Sequence, residues 1–123
     1  APLVRVHAAV GLAPIADLAA AYEGRVGGEV VAEFLGGTPS EHPDRLRAAS
    51  PMAMLPLRTP YLIIHGSEDT AVPVELSRRY IRAAQAAGDE AELIELPETG
   101  HMDFLDPGSE AQATFCRWLH ALL

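Results

Sequence analysis

The stretch TPYLIIHGSEDTAVPVELS, residues 59–77, decides how the rest of the chain is read. Its apolar run, residues 61–64, stops at His65-Gly66 and is continuous rather than alternating, so residues 61–65 read as a strand. A strand of a parallel sheet, covered on both faces, has that pattern. Pro73 stands where a first helical residue is expected, because its missing N–H costs nothing there. Leu76, Tyr80, Ala84 and Ala87 then form one apolar face, and Gly88 ends the helix. Between strand and helix lies Asp69, three residues past the glycine. The space just beyond the carboxyl ends of parallel strands is where such folds gather their working residues.

Reading outward, Ala91–Leu96 (AELIEL) is expected to be another strand, followed by the loop PETGHMDFLDPGS, which carries His101. Asp106 and Pro107 are expected to open the last helix as cap and first residue, with Ala111, Phe115, Trp118, Leu119 and Leu122 as its buried stripe. Toward the amino terminus, residues 4–12 read as a short buried strand, ended by Ala13-Pro14. Residues 15–23 read as a helix closed by Gly24. Paired glycines bracket an amphipathic piece at 29–35; Thr38-Pro39 opens a helical turn, and Pro43–Ala49 makes another. Residues 15–56 are thus an irregular helical excursion, of the kind that lines or covers a site. Strands alternating with helices give an α/β fold: a parallel β-sheet of about three strands, with helices on both faces and right-handed crossovers. The two loops bearing Asp69 and His101 follow successive strands, so an acid and a histidine are expected side by side.

The totals narrow the function. At 123 residues the chain is one domain at most. A net charge of −8 argues against nucleic acid as a partner. Arg78, Arg79 and Arg82 sit at helical spacing beside Glu75 and read as a solvated helix face. The one cysteine, Cys116, cannot close an internal disulfide and is expected in the core. Apolar runs are too short to span a bilayer, which points to no membrane partner and a cytoplasmic protein. His7, His42 and His120 are too scattered for a metal site, and no cofactor is expected.

The segments IIHGSEDTAVP and AAQAAGDEAELIELPETGH resemble the C-terminal half of the α/β-hydrolase family, in its prolyl oligopeptidase, dienelactone hydrolase and small-esterase branches. AASPMAMLPLRTP is similar to the family's lead into the penultimate strand, and VRVHAAVGLAPIADL to the strand after the nucleophile-bearing helix. Together they span nearly the whole chain. The resemblance implies that residues 1–123 are the C-terminal part of a single hydrolase domain. It also implies a Ser-His-Asp triad acting on a carboxylic ester, an amide or a short peptide. Asp69 is then the triad acid and His101 the base. The chemistry agrees: a serine hydroxyl needs a neutral imidazole to take its proton, and that imidazole needs a buried carboxylate to fix its tautomer. The family order is Ser, Asp, His.

The first member has no counterpart here. The nucleophile elbow reads G-x-S-x-G, and none of Ser40, Ser50, Ser67, Ser77 or Ser109 lies in that frame. The nucleophile and oxyanion hole are therefore expected from a missing N-terminal segment, and the fragment alone is expected to be inactive. Without that segment the strand at 4–12 is expected to expose an edge able to self-associate. The competing reading is a non-catalytic protein that keeps this half of the fold to bind a ligand or partner.

Each residue has a plainer role to set against the catalytic one. Asp69 can cap the helix that follows, and His101 alone reads as a surface histidine; only their pairing raises both. Glu68 reads as solvated, His65 as structural, Asp103 as a rim acid and Asp106 as a helix cap. Met52, Met54 and Phe104 edge a pocket on one reading and belong to the core on the other.

Overall fold

A computed structural model describes residues 3–123. Three parallel strands, β1 (Ala9–Leu12), β2 (Tyr61–Gly66) and β3 (Ala91–Leu96), form one sheet in the order β1-β2-β3. Gly11 stands opposite Ile63 on one side of β2, and Leu93 on the other. The helices are α1 (Leu18–Glu23), α2 (Val30–Leu35), α3 (Pro43–Ala49), α4 (Val74–Ala86) and α5 (Glu110–Leu122). Short 3-10 helices occupy Pro51–Met54 and His101–Leu105.

All six residues of β2 are buried, and the alternation of its side chains divides the core in two. Leu62 and Ile64 face Phe104 and the α5 side, with Ala111, Phe115 and Trp118 packed against them. Tyr61 and Ile63 face α4, meeting Tyr80, Ile81 and Ala84. Both faces of the sheet are thus covered, as the unbroken apolar run of β2 requires. A third cluster joins Ala21 of α1 and Val31 and Leu35 of α2 to Val72 and Leu76, at the start of α4. The helical excursion therefore braces the loop that carries Asp69.

Several expected boundaries shift, each for a local reason. The strand expected at 4–12 begins only at Ala9, whose N–H bonds to Pro60 O at 3.0 Å. Its partner β2 starts at Tyr61, so earlier residues have nothing to pair with, and Val4 and Val6 are exposed. The helix expected from residue 15 starts at Leu18, because the Asp17 carboxylate caps it by accepting from Ala20 N. Pro73 is the N-cap of α4 rather than its first residue, and Ala87 falls outside the buried face.

The last helix opens three residues later than expected. Asp106 Oδ1 accepts from Gly108 N at 2.9 Å, closing a turn, and Ser109 caps α5 by accepting from Gln112 N. The expected stripe holds at Ala111, Phe115 and Trp118, but Leu119 and Leu122 are exposed. Cys116 is exposed too, correcting its expected place in the core; it lies on the side of α5 turned from the sheet. The arginine face is as read: Arg78 bonds to Glu75 and Glu95, and Arg82 to Glu75. No helix among the described residues is long and apolar enough to cross a membrane.

Candidate active site

The connection from β2 to α4 turns sharply after Gly66. Asp69 folds its carboxylate back onto its own loop, where Oδ1 accepts from Ala71 N at 2.9 Å and from Val72 N at 2.7 Å. This Asx-type turn uses the short side chain as a backbone mimic. Two donors on one oxygen aim the other, Oδ2, outward from the loop. The side chain has no solvent exposure.

His101 arrives from the other connection. β3 ends at Leu96, and the chain returns through Thr99 and Gly100 into the 3-10 helix His101–Leu105. Asp103 fastens that entry by accepting from Gly100 N at 3.0 Å, which is its place in the structure rather than a free rim acid. Two bonds tie the connections together: Ser67 N donates to Leu96 O at 2.8 Å, and Glu68 N donates to Thr99 O at 3.0 Å. The backbones approach so closely at Gly66 that an added Cβ would fall on the Thr99 carbonyl oxygen and 2.6 Å from its carbon. Only glycine fits there.

The two loops bring Asp69 and His101 into contact. His101 Nδ1 donates to Asp69 Oδ2 at 2.7 Å, a short charge-assisted hydrogen bond. The His101 side chain is one-third exposed (33 %), and its Nε2 has no hydrogen-bond partner among the described residues. In the neutral ring, with Nδ1–H committed to the carboxylate, the Nε2 lone pair faces outward. Burial alone would push the Asp69 carboxyl up. The Val72 N–H, the His101 ring and the Ala71 N–H together outweigh it and hold the group below the ordinary aspartate range. The pair is an ionised acid orienting a histidine whose far nitrogen is free to take a proton.

The other residues singled out lie elsewhere. Glu68 is exposed. Met54 is exposed, Met52 packs on the α4 side of the core, and Phe104 is buried on the α5 side. Among the serines, Ser50 is buried and accepts from Leu18 N, Ser109 caps α5, and Ser77 bonds to His65. Ser40 and Ser67 are exposed. None hydrogen-bonds to His101 among the described residues. No group of three His, Cys, Asp or Glu side chains able to hold a metal occurs among them either. A cleft of about 370 Å³ lined by Pro60, Tyr61, Glu90 and Trp118 opens at the amino-terminal ends of the strands, the edge opposite the pair.

Sequence reasoning read His65 only as structural and did not see its neighbours. It is fully buried, with Nε2 2.8 Å from Val72 O and 3.2 Å from Asp69 Oδ2, and Nδ1 2.7 Å from Ser77 Oγ. The i to i+4 spacing of His65 and Asp69 about Gly66 was the available signal.

Comparison with known proteins shows the family and the fold. The esterase LipC of Mycobacterium tuberculosis is 35 % identical over 91 residues, covering 68 % of this chain and 23 % of LipC. The chain thus spans about a quarter of the length of that relative. The Thermogutta terrifontis esterase 2 phosphoramylated by tabun superposes with a TM-score of 0.68 at 26 % identity, covering 95 % of this chain and 40 % of that one. A puromycin hydrolase superposes at 0.65 with 28 % identity, covering 77 % and 15 %. These relatives share the α/β-hydrolase fold with this chain. Over residues 5–123 the sequence matches the prolyl oligopeptidase family of serine hydrolases, and the chain belongs to that family.

Proposed function

We propose that this chain supplies the acid and the base of a serine hydrolase. Asp69 fixes the tautomer of His101. His101 then takes the proton of a serine hydroxyl through Nε2 as that oxygen attacks a carboxylic ester or amide carbon, and returns it to the leaving group. The serine and its oxyanion hole come from residues outside these 123, which make up the C-terminal part of a single hydrolase domain. No cofactor takes part.

One observation carries the reading: a carboxylate with no solvent exposure, bonded to the histidine ring at 2.7 Å, while the far ring nitrogen has no partner among the described residues. A merely structural Asp69 would be held by its own turn and would not need a second loop to deliver a histidine to its other oxygen. The relative whose structure carries a tabun adduct lends support, since such an adduct forms on an activated nucleophile.

The test uses the natural full-length polypeptide that contains this chain. A fluorophosphonate probe should label the parent protein, and His101→Ala should slow labelling by about three orders of magnitude or more, the scale lost when a base-activated nucleophile loses its base. Equal labelling rates for parent and variant would reject the assignment and favour a non-catalytic role.

A further inference from the structure

We propose that His65, held by Ser77, is a positioning residue that fixes the Asp69 carboxylate from behind. The inference rests on the Asp69–His101 reading above and extends it by one layer.

The hydrogen bonds fix the ring. Val72 O is a carbonyl and only accepts, so the His65 nitrogen 2.8 Å away, Nε2, carries a hydrogen. The Ser77 hydroxyl bonds only to His65 Nδ1, at 2.7 Å, among the described residues. Donating there satisfies the hydroxyl and leaves Nδ1 as the bare acceptor. With the hydroxyl donating, His65 is the Nε2–H tautomer, fully enclosed.

That tautomer acts on Asp69 in two ways. By holding Val72 O it sets the peptide whose neighbouring N–H, that of Val72, donates to Asp69 Oδ1 at 2.7 Å. Its Nε2–H edge also stands 3.2 Å from Oδ2, the oxygen that holds His101. Asp69 thus has one histidine in front, through a hydrogen bond, and one behind, through an electrostatic contact. A bare Nε2 would instead turn a lone pair on the carboxylate and repel it. Val72 O and Ser77 together therefore set the sign of the contact. The other charged groups near the ring lie on the neighbouring strand and helix. Glu95 faces His65 across the β2–β3 register and is bonded to Arg78 of α4, so its charge is already paired. A ring needed only to fill space would not require a polar partner on every side, since an aromatic or aliphatic side chain would fill the same volume.

The test again uses the natural full-length polypeptide, ¹⁵N-labelled at histidine and ¹³C-labelled at aspartate. Long-range ¹H–¹⁵N correlation should show His65 as the Nε2–H tautomer, and an Nδ1–H ring would overturn the proposal. His65→Leu should lower kcat for 4-nitrophenyl acetate roughly tenfold to a hundredfold with KM within about twofold, as expected when a reacting group is misplaced but binding is not. The Asp69 carboxyl should then titrate at higher pH than in the parent. His65→Gln, which restores an N–H toward Val72 O, should recover most of both effects. A folded His65→Leu variant with unchanged kcat and unchanged Asp69 titration would refute the positioning role. If that variant does not fold, Ser77→Ala decides. It should shift the His65 Nδ1 resonance and lower kcat severalfold, and an unaltered ring spectrum with parental kcat would overturn the idea. Failure of the underlying reading has a different signature: Asp69→Asn would then keep its turnover, whatever the His65 variants do.

Discussion

Replacing Asp69 by asparagine tests the site with the least change of shape. The amide has one oxygen where the carboxylate has two, so two orientations compete. With the amide NH₂ turned toward the loop, it would face the N–H groups of Ala71 and Val72, both now bonded to Oδ1 at 2.9 and 2.7 Å. Two donors would be left unsatisfied, the buried Val72 N–H at about 1–3 kcal/mol and the part-buried Ala71 N–H at less. With the oxygen toward the loop those bonds survive, and the NH₂ points at His101. Only the imidazole then adjusts: Nδ1 becomes the acceptor and the proton moves to Nε2, where it blocks the nitrogen that should take the serine proton. The second orientation keeps two hydrogen bonds against the loss of one longer contact to His65, so it wins, and it is the inactive one. The expected cost is about 10⁴ in kcat, the size seen for the analogous change in a serine protease, or about 5.4 kcal/mol at 1.36 kcal/mol per tenfold. Stability should fall by far less, since the loop keeps its turn. Steady-state kinetics on a nitrophenyl ester and urea unfolding, both on the natural full-length polypeptide, separate the two effects. Turnover within tenfold of the parent would refute the tautomer argument, and so would loss of turnover that merely tracks loss of folded protein.

Three further outcomes follow from the geometry. Gly66→Ala should destabilise by several kcal/mol and lower activity, because a Cβ on the Thr99 carbonyl pries the two site loops apart; a fully active variant with parental midpoint in urea would contradict this packing. The Asp69 carboxyl, lowered overall because its hydrogen bonds outweigh burial, should remain ionised on ¹³C titration at pH values where a free aspartate is half protonated. Its stabilisation is complete above the unfolded pKa, about 3.9, and is lost as pH falls through the lower folded value, so protonation at or above the free-aspartate midpoint would count against the bonding described. The 123-residue polypeptide, expressed alone, should cleave no nitrophenyl ester and should self-associate through the open side of β1, where unpaired backbone groups invite another strand; a monomer by light scattering, or one with esterase activity, would be inconsistent with that.

The sheet was legible because β2 is a short apolar run and β3 an alternating one, each bounded by Gly or Pro, so β3 matches at both ends and β2 differs only by Gly66. Pairing decided what pattern alone did not. Residues 4–8 are as apolar as a strand, yet β2 offers nothing for them to bond to. Helix starts were displaced where a side chain two or three residues on made the better cap, Asp17 for α1 and Ser109 for α5. The approach of the Asp69 and His101 loops followed from two parallel strands being neighbours, a topological fact that spacing conveys. The environment of His65 did not, because Ser77 and the Val72 carbonyl meet it only once α4 has folded back against β2.

The two kinds of bond on Asp69 also differ in when they can form. Those to Ala71 and Val72 close over two and three residues, whereas that to His101 spans 32. Loop-closure entropy grows as (3/2)RT ln n, so the long contact costs about 2 kcal/mol more to close than the three-residue one. The carboxylate can therefore be aimed as soon as the β2–α4 connection takes shape, before β3 has added to the sheet. The histidine then docks onto an oxygen already pointing at it. The acid is aimed by contacts local in sequence, and the base reaches it through topology.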